Sequence, residues 1–147
     1  MSRPPEVLIA AIRDFEPDDG NWLALNGLLD ELTRSEAGGR GIEAMLSLLE
    51  KYPADDGTGV FWSIVHGVES LAGYEPALVE SVRRTPAEFS VLMVGRMLNA
   101  GEVEVGGVRL LPLIRGVAEM PEIAPTIRRM ARRFTDAHAS SDSSGAG

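Results

Sequence analysis

Apolar residues return every three or four positions from Val7 to Phe134, and that spacing commits nearly the whole chain to helices. A strand needs alternation, and no convincing alternating run is longer than residues 102–105. The first helix opens at Pro4 and points Val7, Leu8, Ala11, Ile12 and Phe15 inward; residues 16–20 end it. The second sets Trp22, Leu25, Leu28, Leu29 and Leu32 on one stripe and breaks at Gly38 and Gly39. Ile42, Met45, Leu46 and Leu49 mark a third. Phe61, Ile64, Val65 and Val68 mark a fourth, and Leu78, Val79 and Val82 a fifth.

Thr85-Pro86-Ala87-Glu88 has the form of a capping box with proline at the first helical position, so a sixth helix is expected from there to about Ala100. Residues 102–107 suit a short extended turn or a tiny hairpin at Gly106-Gly107. Leu110, Leu113, Ile114 and Val117 define a seventh helix. Pro121 opens an eighth with Ile123, Ile127, Met130 and Phe134 on its apolar face. The expected fold is all-α: about eight short antiparallel helices forming a HEAT-like right-handed α-solenoid or a compact helical array. Residues 1–137 make one domain of this kind, and the Ser, Gly and Ala that dominate residues 138–147 predict a disordered tail.

Cysteine is absent, which excludes disulfides, thiolate metal sites and cysteine nucleophiles. No apolar run approaches the roughly 20 residues of a membrane span, and Met1 to Pro5 lacks the apolar core of a secretory signal, so a cytoplasmic protein away from membranes is expected. The formal charge of -8 argues against nucleic acid as the main partner. Its distribution is uneven: residues 1–82 carry 15 acids and 5 bases, and residues 83–147 carry 7 acids and 9 bases. An acidic first half suits a basic partner, although excess acid also serves plain solubility.

If successive helices alternate in direction, the loops at 16–20 and 53–59 share one edge and gather Glu16, Asp18, Asp19, Asp55 and Asp56. Trp22, Trp62 and Tyr74 are the aromatic candidates for anchoring a partner where they are not core.

His66 and Glu69 stand one helical turn apart, a spacing at which both side chains could reach one metal ion or share a proton. Two groups do not complete a site, and the structural reading is preferred; no metal or cofactor is expected. Arg96 falls among Phe89, Leu92 and Met93 on the expected inner face of the sixth helix, where a buried guanidinium needs a carboxylate. Glu69 is the expected partner, with Asn99 beside it, which makes His66, Glu69, Arg96 and Asn99 a polar cluster inside the core. Arg128, Arg129, Arg132 and Arg133 line the outer face of the last helix, without the interleaved aromatics of a nucleic-acid platform. Neither a phosphate-binding glycine loop nor a G-x-S-x-G elbow occurs, so no catalytic residue is assigned.

The stretch from Phe61-Trp62-Ser63-Ile64-Val65-His66-Gly67-Val68-Glu69-Ser70-Leu71 through Tyr74, Ser81-Val82-Arg83-Arg84-Thr85-Pro86 and Arg96-Met97-Leu98-Asn99-Ala100-Gly101 resembles the all-helical immunity proteins of bacterial polymorphic-toxin systems. The likeness covers residues 60–117. It implies a protein encoded beside a toxin that neutralises it by tight binding at the active or substrate-binding surface. A basic toxin domain would fit the acidic half. The alternatives are a HEAT-like scaffold or regulatory adaptor with no toxin partner and, more remotely, an enzyme built on His66 and Glu69.

Overall fold

A computed structural model describes residues 3–35 and 38–145, with side chains as far as His138. Among the described residues there are eight α-helices: α1 (Pro5–Arg13), α2 (Leu23–Arg34), α3 (Ile42–Lys51), α4 (Phe61–Glu69), α5 (Glu75–Arg84), α6 (Glu88–Asn99), α7 (Leu110–Ala118) and α8 (Pro125–Gly145). A two-stranded hairpin, β1 (Glu104–Val105) and β2 (Val108–Arg109), turns at Gly106 and Gly107, both at positive φ. No helix among the described residues is long and apolar enough to cross a membrane. The backbone of α8 is helical to Gly145; the expected tail at 138–147 otherwise lies outside the described residues.

The helices form a compact array in two ranks. Along one rank α1 packs on α3 and α3 on α5; along the other α2 packs on α4, α4 on α6 and α6 on α8. Consecutive helices of each pair, α1 with α2, α3 with α4, α5 with α6 and α7 with α8, touch across the ranks. Beyond α5 the first rank continues with β1, which packs on that helix. The stripes read from periodicity face inward: Leu25, Leu29 and Leu32 of α2, Met45, Leu46 and Leu49 of α3, and Phe61, Ile64, Val65 and Val68 of α4 are all buried. Gly95 lets α6 and α8 approach, since a Cβ there would lie 2.4 Å from the Phe134 ring.

Several local expectations shift. Val7 is exposed, because the buried stripe of α1 is Leu8 and Ile12. The cap of α6 is displaced by two residues: Thr85 ends α5, Ala87 is the N-cap, and Ser90 Oγ accepts from the Ala87 N–H at 3.1 Å. The last helix starts at Pro125 rather than Pro121, with proline again in a first turn where its missing N–H costs nothing.

Candidate functional site

The N-terminal ends of α2, α4 and α6 lie along one edge, stitched by an aromatic row. Phe15 contacts Trp22 at 5.7 Å between ring centroids, Trp22 contacts Phe61 at 5.1 Å, and Phe61 contacts Phe89 at 5.9 Å. Tyr52 meets Trp22 edge-on at 5.0 Å. Trp22 is therefore 4% exposed and belongs to the core, which removes it as a partner anchor. Its place just before α2 makes it the pin between the loops at 16–20 and 53–59 rather than part of an outer surface.

Above this row stand the acidic loops. Asp18 and Asp19 sit on a tight turn in which Asp19 and Gly20 both have positive φ and Asn21 N–H donates to Asp18 O at 2.8 Å. Asp55 and Asp56 each accept one backbone N–H, from Gly57 and Thr58, at 2.9 Å. Gly57, at φ 58°, has no alternative there, because a Cβ would stand 2.5 Å from the Phe61 ring. Lys51 Nζ donates to Phe15 O at 3.4 Å, and Glu88 N–H donates to Pro53 O at 2.8 Å, so the loops at 16–20 and 53–59 and the start of α6 adjoin.

The four arginines of residues 1–82 are all engaged by carboxylates: Arg3 by Glu31, Arg13 by Asp14, Arg34 by Asp30 and Arg40 by Glu6. Among the described residues, no ion pair engages Glu16, Asp18, Asp19, Asp55 or Asp56. Glu88 joins this edge, although sequence reasoning did not single it out. Partial burial and then the nearby Asp56 charge push its carboxyl above the ordinary range, and Arg129 only partly opposes them. A shallow depression of about 600 Å³ lies among Tyr52, Pro53, Ala54, Asp55, Asp56 and Glu88.

Trp62, 41% exposed, projects from the first turn of α4, braced by Phe89 edge-on at 5.4 Å and by the His66 ring at 6.1 Å. Leu23, 71% exposed, occupies the first position of α2 and was not singled out either. Between α2 and α4 runs an open groove of about 730 Å³ whose walls include Asn26, Gly27, Ser63, His66 and Gly67. Ser63 Oγ donates to Asn26 Oδ1 across it at 3.0 Å. The sequence hints at this groove through Gly27 and Gly67, helix-weakening residues inside two apolar segments.

The expected polar core does not form. Arg96 does grip Glu69, with contacts of 2.9 and 3.1 Å to its two oxygens, but the Arg96 side chain is 45% exposed. It follows Leu92 by one turn on the half-buried border of α6, while Met93 and Met97 take the interior. His66 and Asn99 are exposed as well, and Asn99 Oδ1 lies 2.8 Å from His138 Nε2. Tyr74 is half-buried beyond the C-terminal end of α4, the opposite end from the acidic loops; burial first and then Glu69 and Glu75 raise its hydroxyl pKa. Glu69 and Arg96 share that end. No three acidic or histidine side chains among the described residues are grouped so as to hold a metal ion.

Comparison with protein-family models, curated proteins and solved structures gives no match.

Proposed function

We propose that this chain is a binding protein of the immunity type, which neutralises a basic toxin domain by covering its active or substrate-binding surface. The observation that carries this reading is the division of charge: the arginines of the first half are spent on other carboxylates, while five edge acids face solvent without an ion pair. Fixed, concentrated negative charge attracts a basic surface at long range and raises association rates by roughly 10- to 1000-fold at low salt. A toxin cleft that normally admits phosphates would meet carboxylates on rigid turns instead. In this reading the protein acts in the cytoplasm, where the toxin acts.

Co-expression with the toxin gene beside it in its genome tests the proposal, with survival as the readout. The variant Asp18→Asn, Asp19→Asn, Asp55→Asn, Asp56→Asn removes four charges yet keeps the side-chain acceptors that Gly57 and Thr58 N–H need. Protection by the wild-type chain, with the variant's association rate lowered about tenfold and its salt dependence flattened, supports the reading. Failure of the wild-type chain to protect would count against it and favour a scaffold with no toxin partner, for which the two-rank stacking of helices speaks.

A further inference from the structure

Resting on that reading, we infer that the face formed by α2 and α4 is where the partner docks, and that it receives an amphipathic, basic segment of the partner protein with Leu23 and Trp62 as apolar anchors. The Asn26–Ser63 hydrogen bond fixes how the two helices align. Leu23 lies one turn before Asn26 and Gly27 on α2, and Trp62 one turn before His66 on α4, so the two exposed apolar side chains stand beside the end of the groove at which both helices begin. Among the described residues, the other strongly exposed large apolar side chains, Val7 and Val103, stand on α1 and ahead of the hairpin, away from this pair.

Trp62 is already held by Phe89 and His66, so seating a partner against it costs little side-chain freedom. Further along the groove, Gly27 lies inside α2 with nothing within 4 Å of where its Cβ would be. Packing inside the chain gives no reason for a glycine at that position, but its bare backbone admits close approach from outside.

The charge pattern selects the occupant. Asp18 and Asp19 precede α2 and Asp55 and Asp56 precede α4, so unpaired carboxylates flank the end of the groove that holds the anchors. Among the described residues no lysine or arginine lines the groove, and the one acid that does, Asp30, is paired with Arg34. A segment with leucine-like residues on one side and arginine or lysine on the other matches both features, whereas an anionic nucleic acid or lipid surface would be repelled.

Three synthetic 14-residue peptides of stated chemistry serve as probes: amphipathic Arg–Leu, Arg–Ser of equal charge, and Glu–Leu. Each is titrated into the full-length ¹⁵N-labelled protein and followed by amide and indole NMR shifts. The expected result is saturable binding of Arg–Leu alone, with shifts at Leu23, Gly27, Ser63, Gly67 and the Trp62 indole. Trp62→Ser and Gly27→Leu should each weaken it at least tenfold without losing the folded spectrum. Equal binding of Arg–Ser or Glu–Leu, shifts centred away from α2 and α4, no saturable binding, or unchanged affinity in both variants would each overturn the docking surface. The two proposals fail separately. If Trp62→Ser and Gly27→Leu still protect cells while the four-Asn variant does not, the docking surface is wrong and the immunity reading stands. If the wild-type chain never protects yet Arg–Leu maps to the groove, the reverse holds.

Discussion

Arg96 of α6 holds both carboxylate oxygens of Glu69 on α4, at 2.9 and 3.1 Å, so one two-pronged ion pair joins neighbouring helices of the second rank at their C-terminal ends. Its exposure sets what it can contribute. With the Arg96 side chain 45% exposed and that of Glu69 19% exposed, water screens the attraction and already solvates each group alone. A double-mutant cycle with Glu69→Leu and Arg96→Met should give a coupling of about 0.5–1 kcal/mol in urea unfolding. A coupling near zero, or above about 3 kcal/mol, would show that this account of the pair is wrong.

Two half-buried carboxyls should titrate in opposite senses. Burial alone would raise Glu50, but hydrogen bonds from Arg84 and Ser81 outweigh it and hold the group below its ordinary 4.5. A lowered folded value means stability that is present above about pH 4.5 and lost as the pH falls through the folded value. Glu50→Gln should therefore cost about 1 kcal/mol at neutral pH and progressively less in acid.

Glu88 is raised, first by burial and then by Asp56, so the folded state holds its proton more tightly than the unfolded chain. Stability then declines as the pH rises past about 4.5, the ordinary carboxyl value. Glu88→Gln should be neutral to stabilising at pH 7, by less than about 1 kcal/mol, and lose that advantage in acid. Chemical denaturation across the acid range measures both carboxyls.

Two helix glycines should respond oppositely to alanine. At Gly95 the new methyl meets the Phe134 ring at 2.4 Å, so Gly95→Ala should destabilise by about 1–3 kcal/mol and be partly rescued by Phe134→Leu. At Gly27 nothing lies within 4 Å, and Gly27→Ala should stabilise α2 by up to about 1 kcal/mol. Thermal melts of the three variants give the signs directly.

The two tryptophans should separate stability from surface function. Trp22 packs against Phe15, Tyr52 and Phe61, so Trp22→Ala should cost about 3–5 kcal/mol. Trp62, at 41% exposure, should cost under about 1.5 kcal/mol when changed to alanine. Equal losses in urea unfolding would remove Trp62 as a surface anchor.

Periodicity located the helices because each buries one stripe, and a stripe is written in neighbouring residues: Phe61, Ile64, Val65 and Val68 are inside as their spacing requires. It misplaced residues at the borders of stripes. Arg96 follows Leu92 by a turn, and spacing cannot tell a half-buried border from the interior, since the neighbouring helix decides how far the burial extends. The cap at Ala87 escaped for a similar reason, because Ser90, not the threonine of the expected box, supplies the oxygen.

What the sequence determined by itself was the helical class, the absence of thiol chemistry and the uneven charge, all properties of composition and local order. Only tertiary structure decided that Trp22 is core while Trp62 and Leu23 are surface, that the first-half arginines are occupied, and that Gly27 opens onto a groove. Those facts depend on which side chains from distant segments come within a few ångströms. Helix packing sets these distances, and no local pattern in the chain records them.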